Sequence, residues 1–265
     1  MKTISVATMK GGEGKSVIAI LLSNFLASLG YKVLVADLDP QQSVTNWHYS
    51  VLKERDFDKN IGIALFNNSI KNNTVLTNIN NVSLVPGSFK LFAMRTMAPM
   101  MVSNCLAGVS GLYDFCILDT AGSWDNIVIS ALTASDFIIA PVTVKSEISL
   151  YANREWRTLI SEEAAHVANK ICCLLNWYSS SKSAMLYIEQ YYKIHSMVFD
   201  TYLKEAKKQV EHAIDDHVLV TNNKTYNVLY PFLCGLTREV LGYFGMDAPA
   251  NLPFFSAIDV EEAEA

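Results

Sequence analysis

Short apolar runs alternate along the chain with longer stretches in which apolar residues recur at helical spacing. The short runs are β-branched or apolar at most positions, which is typical of strands buried on both faces of a sheet. They predict strands over residues 3–8, 32–37, 61–66, 82–86, 115–119, 137–142, 171–175 and 218–221.

The longer stretches predict helices. The first of them is followed by Gly30, a frequent residue just beyond the C-terminus of a helix. The predicted helices cover residues 15–29, 40–55, 89–106, 148–167, 184–214 (one long helix or two shorter ones) and 229–244. Strands and helices therefore alternate, and we expect an α/β fold, a doubly wound and mainly parallel sheet with helices on both faces.

Composition fits a folded domain. The chain has 265 residues, of which 51% are hydrophobic and 18% charged, with a net charge of −5. These values exclude a disordered or coiled-coil protein. We expect one domain over residues 1–258 with an enlarged helical region at about 183–245, and a disordered acidic tail at 259–265.

The apolar segments are interrupted by glycine, proline and charged residues, so they predict neither a membrane span nor a secretion signal. We therefore expect a cytoplasmic protein. Its five cysteines form no C-x-x-C pair, and their odd number argues against a disulfide framework. The acidic balance does not point to nucleic acid, although a local basic face would be enough to bind it.

A glycine-rich loop is the most informative segment. Residues 9–16 read M-K-G-G-E-G-K-S, between the first strand and the first long helix. Glycines allow backbone N–H groups to surround an anion, and a helix N-terminus adds a favourable dipole. In such a loop Lys15 reaches the β- and γ-phosphates and the Ser16 hydroxyl binds Mg²⁺. The alternative is a glycine-rich turn that only starts a helix.

Carboxylates follow two of the predicted strands. Asp37 and Asp39 come at the end of the second strand, and Asp119 ends the run F-C-I-L-D. Ligands of open α/β sheets gather at the carboxyl ends of strands. Carboxylates beside a phosphate loop suit Mg²⁺ coordination through water and orientation of an attacking water. Without the loop, each of these acids would be interpreted as a turn or capping residue.

Three segments together resemble one family. K-G-G-E-G-K-S at residues 10–16 resembles the deviant Walker A box, K-G-G-x-G-K-[ST], of the ParA/MinD superfamily. D-L-D-P-Q at 37–41 resembles switch I of ParA ATPases, and S-V-T-N-W at 43–47 is similar to the small, ParF-like partition proteins. Residues 115–119 have a Walker B shape, and Thr120, Ala121 and Gly122 resemble switch II.

The resemblance implies a Mg²⁺-dependent ATPase that forms an ATP sandwich dimer. Lys10 would reach across the dimer interface to the nucleotide of the other subunit, and Asp39 would position the hydrolytic water. The implied catalytic residues are Lys10, Lys15 and Asp39, and the implied metal residues are Ser16, Asp37 and Asp119. The implied nucleotide-binding residues are Lys10, Gly11, Gly12, Glu13, Gly14, Lys15, Ser16, Val17 and, at the adenine, Asn176.

Two residues depart from the family pattern. Glu13 stands where the family has a small or apolar residue, and we expect its side chain to point toward the dimer partner. Val17 replaces a frequent threonine. These departures favour one alternative, a nucleotide-binding module that hydrolyses ATP poorly. Another alternative is a metabolic P-loop ligase of the dethiobiotin-synthetase or cobyrinate type.

The resemblance also implies partners: non-specific DNA for the ATP dimer, which would be nucleoid-associated, and a ParB-like adaptor that stimulates hydrolysis. The cargo would be a plasmid, a chromosome or a protein assembly. Lys204, Lys207 and Lys208 have i, i+3, i+4 spacing and are expected on one helix face as candidate DNA-binding residues. Lys182, Lys193, Lys224 and Arg238 could extend the patch, and an ordinary solvated face is the alternative. The acidic C-terminus argues against a MinD-like membrane helix.

Overall fold

The computed structural model describes residues 1–51, 56–144, 146–178 and 181–255. Its centre is an eight-stranded sheet with the strand order β3-β4-β2-β5-β1-β6-β7-β8. The strands are β1 Lys2–Val6, β2 Val33–Leu38, β3 Val75–Leu76, β4 Val82–Val85, β5 Phe115–Thr120, β6 Phe137–Thr143, β7 Ile171–Tyr178 and β8 Leu203–Lys204.

Every pairing in the sheet is parallel except that of β3 with β4. The α-helices among the described residues are α1 Lys15–Ser28, α2 Ser43–Val51, α3 Ile61–Phe66, α4 Met101–Ala107, α5 Asn126–Ala134, α6 Glu147–Glu163, α7 Lys182–Ile194, α8 Lys207–Asp215 and α9 Leu229–Tyr243. The predicted doubly wound, mainly parallel α/β fold is confirmed.

Helices cover both faces of the sheet. Val33 and Val35 of β2 belong to the core cluster that includes α1 and α9, whereas Leu34 and Ala36 belong to the cluster that includes α3, α4 and α5. Alternate residues of one strand thus face opposite layers. Because the central strands are apolar on both sides, their hydrophobic runs are continuous, and this is the signal that predicts them.

Two predicted strands are wrong. Residues 61–66 form α3, whose N-terminus is capped by the Asn60 side chain, which accepts a hydrogen bond from the backbone N of Ile63 at 3.1 Å. A short apolar run fits a strand and a buried helix equally well. Residues 218–221 are not a strand, and the last strand is instead β8, which pairs with β7.

Helix boundaries also differ from the prediction. The segment 184–214 contains α7 and α8 with β8 between them, and α2 begins at Ser43 instead of Pro40. The segment 89–106 divides into a 3₁₀ helix, Phe89–Met94, and α4. The predicted acidic tail, 259–265, lies outside the described residues. Over the part of the chain that the structure describes, no helix combines the length and the apolar character needed to cross a membrane.

Candidate functional site

The glycine-rich loop lies between β1 and α1, at the carboxyl end of the central strand of the sheet. Gly12 and Gly14 have φ values of 80° and 91°, in the left-handed region where a side chain is strained. A Cβ atom on Gly14 would also collide with Nδ2 of Asn176. Glycine is therefore required at position 14 both by the backbone conformation and by the neighbouring side chain.

Lys15 lies within the loop, with only 7% of the residue exposed. Its Nζ donates a hydrogen bond to the carbonyl O of Lys10 at 3.1 Å. Burial lowers the pKa of Lys15, and the nearby carboxylates of Asp119, Asp39 and Glu13 oppose that shift. The buried ammonium group of Lys15 is thus held against the backbone of the loop, where it can bind a phosphate.

An open cleft with a volume of about 480 Å³ begins at the loop. Its walls are Gly11, Gly12, Gly14, Lys15, Ser16, Val17, Asp39, Pro40, Gln41, Ser43, Phe92, Arg95, Ala121, Gly122 and Ser123. Loop, switch I and switch II residues that are far apart in sequence therefore meet at one cleft. Sequence patterns do not identify Phe92 and Arg95 as cleft residues, because the 3₁₀ helix that holds Phe92 and the turn that holds Arg95 carry no motif.

Ser16 lines the cleft, and Asp119 is buried directly behind it. The Ser16 hydroxyl donates a hydrogen bond to Oδ2 of Asp119 at 2.7 Å. Asp119 is fully buried, and among the described residues its Oδ1 has no hydrogen-bond partner. Burial, followed by the charge of Asp37, raises the pKa of Asp119 well above its usual range. A buried carboxylate oxygen without a partner beside a serine hydroxyl fits a hydrated Mg²⁺ ion.

Asp37 and Asp39 have different environments. Asp37 is fully buried and accepts hydrogen bonds from the backbone N and the hydroxyl of Thr45, at 2.8 and 2.7 Å, and from the backbone N of Asp39 at 3.1 Å. Burial raises the pKa of Asp37 to about 6. Asp37 thus fixes the first turn of α2, whereas Asp39 is only half-buried and lines the cleft. Of the two, Asp39 has access to a bound nucleotide.

Glu13 does not point away from its own protomer, so this prediction is wrong. The residue is 2% exposed, and its carboxylate forms an ion pair with Nζ of Lys10 at 2.6 Å. It also accepts hydrogen bonds from the Ser149 hydroxyl, at 2.7 Å, and from the backbone N of Thr143. The unfavourable meeting of a carboxylate with phosphate is avoided because Glu13 turns toward β6 and α6.

Asn176 lies beneath the loop. Its Nδ2 donates a hydrogen bond to the carbonyl O of Glu13 at 2.8 Å, and the residue is 1% exposed. In this conformation Asn176 supports the loop and leaves an adenine ring no access to its side chain. Switch II is equally close to the loop, since a Cβ atom on Gly122 would lie 3.3 Å from Nζ of Lys15.

The candidate DNA-contacting residues do not share one helix. Lys204 lies in β8, and Lys207 and Lys208 begin α8, so the prediction of a common helix face is wrong. Nζ of Lys207 lies 3.6 Å from a carboxylate oxygen of Glu211. Arg238 donates hydrogen bonds from Nε to the carbonyl O of Pro253, at 3.0 Å, and from a terminal nitrogen to that of Leu252. Lys204 and Arg238 line a second cavity, of about 340 Å³, together with Asp200 and Glu239.

Comparison with known sequences identifies relatives of the N-terminal part. A family described as AAA domain matches residues 1–169. A protein of Methanocaldococcus jannaschii without a characterised role is 39% identical over 154 residues, 53% of this chain and 58% of the relative. The sporulation initiation inhibitor protein Soj of Bacillus subtilis is 28% identical over 148 residues, with the same coverage. The chain thus spans little more than half the length of these relatives.

Solved structures match most of the chain. A plasmid partition protein of Borrelia burgdorferi bound to AMPPNP superposes with a TM-score of 0.76 at 22% identity, over 92% of this chain and 98% of that one. Cobyrinic acid a,c-diamide synthase of Mycobacterium smegmatis, with an ATP analogue and magnesium, gives 0.72 at 20% identity, over 96% and 100%. At these identities both show the fold. Since the AAA-domain match covers more than half of the chain and agrees with the motifs, the chain belongs to that family, in its ParA/MinD branch.

Proposed function

We propose that this protein is a ParA-type ATPase. It forms an ATP-dependent sandwich dimer, binds DNA non-specifically, and segregates or positions a plasmid, a chromosome or a protein assembly when a ParB-like partner stimulates hydrolysis. The observation that carries the proposal is that the two lysines of the glycine-rich loop, Lys15 and Lys10, differ in burial and in their place relative to the cleft. Lys15 is 7% exposed and lines the cleft, whereas the Lys10 side chain is 30% exposed and is not among the described residues of the cleft wall.

Each step follows from a residue of the cleft. Backbone N–H groups of the loop and the Lys15 ammonium bind the phosphates. Ser16 and Asp119 would hold Mg²⁺, which neutralises developing charge on the phosphates when bound. Asp39 orients the attacking water. Lys10 supplies a second cation from the other protomer, an effect worth roughly 10³–10⁵ in rate for the comparable arginine of GTPases.

Asp37 has a supporting role in this scheme. Its Oδ2 accepts from Thr45 in the first turn of α2 and its Oδ1 from the backbone N of Asp39, and β2 pairs with β5 so that Asp37 lies opposite Asp119. It shapes the surroundings of the metal-binding carboxylate without having to contact the ion. Asp39 therefore orients the attacking water, and Asp119 would hold the hydrated metal ion.

The ligase alternative rests on the likeness to the cobyrinate enzyme, and that likeness extends to the fold alone. A ligase would need a second substrate and would not require Lys10 in the partner. A module that binds nucleotide without turnover is favoured by Val17 only, because the second departure, Glu13, is directed away from the cleft.

DNA co-sedimentation tests the proposal. Wild type, Lys10→Ala and, as a matched control, the exposed Lys71→Ala are compared with ATP, with ADP and without nucleotide. We expect wild type and the control to sediment with DNA in ATP only, and Lys10→Ala to stay in the supernatant. Binding that ignores nucleotide, or no binding at low salt, contradicts the proposal.

A further inference from the structure

The Glu13 carboxylate joins three segments of the protomer. One oxygen, Oε1, accepts from Lys10 at 2.6 Å and from the Ser149 hydroxyl at 2.7 Å, while Oε2 accepts from the backbone N of Thr143. These partners belong to the phosphate loop, to the first turn of α6 and to the end of β6. Glu13, the residue that departs from the family pattern, therefore ties the phosphate loop to β6 and α6.

The ion pair is asymmetric in burial. The Lys10 side chain is 30% exposed, whereas that of Glu13 is 3% exposed. A carboxylate in such a place loses most of its hydration and depends on its partners. If Lys10 leaves, the two remaining donors and the positive end of the α6 dipole continue to stabilise the charge. Departure of Lys10 is therefore possible but costs free energy.

We propose that Glu13 is a positioning residue that holds Lys10 inside its own protomer and sets the ATP concentration at which the dimer forms. This inference rests on the proposed function, in which Lys10 acts on the nucleotide of the other subunit. In that scheme the Lys10 ammonium leaves Glu13, from which it lies 2.6 Å in this protomer, and moves to the nucleotide of the other subunit. Dimerisation thus exchanges a carboxylate for a phosphate as the partner of Lys10, while Thr143 and Ser149 retain Glu13.

The mechanism predicts opposite effects for two neighbouring substitutions. Glu13→Gln removes the charge that retains Lys10. Its amide oxygen can still accept from the backbone N of Thr143 and its amide nitrogen can donate to the Ser149 hydroxyl, so the side chain keeps both contacts and dimers should form more readily. Ser149→Ala removes one of the donors that stabilise Glu13 without Lys10, so Lys10 should be released less readily. Loosening of the loop alone would shift both variants in the same direction.

The test is an ATP titration with Mg²⁺ in which light scattering measures the dimer fraction. Nucleotide affinity is measured separately on dilute, monomeric protein. We expect Glu13→Gln to need about tenfold less ATP than wild type for half-maximal dimerisation, as follows from losing one charged hydrogen bond. Ser149→Ala should need severalfold more ATP. The exposed Glu155→Gln on α6 is the matched control and should behave as wild type, and the shift in the ATP requirement of Glu13→Gln should exceed any change in its monomer affinity.

An unchanged or increased ATP requirement in Glu13→Gln overturns the inference, as does a parallel change in monomer affinity. Should Glu13→Gln fail to fold, Ser149→Ala decides: a raised threshold supports the inference, and an equal or lower one overturns it. Wild type that stays monomeric at every ATP concentration refutes the proposed function as well. Wild type that dimerises, with Lys10→Ala monomeric and Glu13→Gln unchanged, refutes the inference alone.

Discussion

The part of the chain up to β6 and the part after β7 differ in how local sequence relates to structure. In the first part the strands next to the cleft, β1, β2 and β5, are almost entirely buried, and the loop and the acids lie at their ends. In the second part β8 has two residues, and α7 and α8 bury only a few of their side chains. In the first part the candidate-site residues therefore lie at the ends of buried core strands. In the second part the candidate DNA-contacting lysines lie on β8 and α8, which bury few side chains.

The two parts meet at α2. The indole Nε1 of Trp47 donates a hydrogen bond to the carbonyl O of Ile214 at 2.7 Å, and its ring stacks on His217 with centroids 5.0 Å apart. The next residue, His48, is fully buried. Switch I is therefore followed directly by a helix that packs on the C-terminal part, so the two parts are coupled although their signals in sequence differ.

The largest effect is expected for Asp39→Ala, which tests whether catalysis belongs to the first part. Loss of the group that orients the water should lower ATP hydrolysis by about 10²–10⁴-fold while nucleotide binding persists. Phosphate release and nucleotide affinity are the measurements. Asp58→Ala, an exposed acid of the same part, is the control, and normal turnover by Asp39→Ala would show that another group orients the water.

Lys15→Ala should lower ATP affinity by about a hundredfold or more, because the ammonium group that binds the phosphates is removed. Binding of a fluorescent ATP analogue measures it. Lys207→Ala, an exposed lysine of the second part, should bind as wild type. Equal reductions of ATP affinity in Lys15→Ala and Lys207→Ala would show that phosphate binding does not belong to the first part alone.

His48→Leu tests the packing of α2 where the two parts of the chain meet. Burial lowers the pKa of His48 to about 4, whereas the unfolded chain protonates near 6.5, so stability contributed by neutral His48 is lost as pH falls through this window. Between pH 7.5 and 4.5 the wild type should lose on the order of 2 kcal/mol of unfolding free energy relative to the variant. Urea unfolding measures this, with the exposed His166→Leu as the control. If the unfolding free energies of wild type and His48→Leu changed with pH in parallel, His48 would not be buried in its neutral form.

Gly122→Ala should weaken ATP binding by about tenfold, because the new Cβ would lie 3.2 Å from the carbonyl O of Met9 and 3.3 Å from Nζ of Lys15. Gly111→Ala is a matched control, since a Cβ there meets nothing within 4 Å. The same titration serves both variants. Wild-type affinity in Gly122→Ala would show that switch II is not close to the loop in the nucleotide complex.

The smallest effect concerns DNA and the second part. Replacing Lys207 and Lys208 together by alanine should lower the salt dependence of DNA binding by about 0.9 for each phosphate that is no longer neutralised, with a severalfold decrease in affinity. DNA binding at several salt concentrations measures the slope, and Lys71→Ala is the control. An unchanged slope would place the DNA-binding surface elsewhere.

How far sequence predicts this molecule depends on what surrounds each segment. The central strands are recognisable because both of their faces are buried, so their hydrophobic runs are long and uninterrupted. Residues 61–66 satisfy a strand and a helix equally, and only the cap at Asn60 marks the helix. Strand β8 has too few residues to carry a pattern, and its pairing with β7 is decided by packing.

The candidate site divides in the same way. Lys15, Ser16, Asp39 and Asp119 can be located from sequence because each belongs to a motif at a strand end. Two partners of Glu13, Thr143 and Ser149, are separated from it by 130 and 136 residues and have no motif of their own. Arg95 enters the cleft from an irregular segment. A local pattern reveals which residues can bind phosphate, whereas the orientation of Glu13 depends on contacts that only the fold brings together.

The central claim, that Lys10 acts on the other protomer, is tested most directly by mixing two inactive variants. A Lys10→Ala protomer keeps Asp39 in its own cleft, and an Asp39→Ala protomer can still donate Lys10. We expect each variant alone to hydrolyse little ATP, and the mixture to regain hydrolysis in proportion to the heterodimer, which a tagged protomer quantifies. Heterodimers that form but remain inactive would show that Lys10 does not act on the nucleotide of the other protomer.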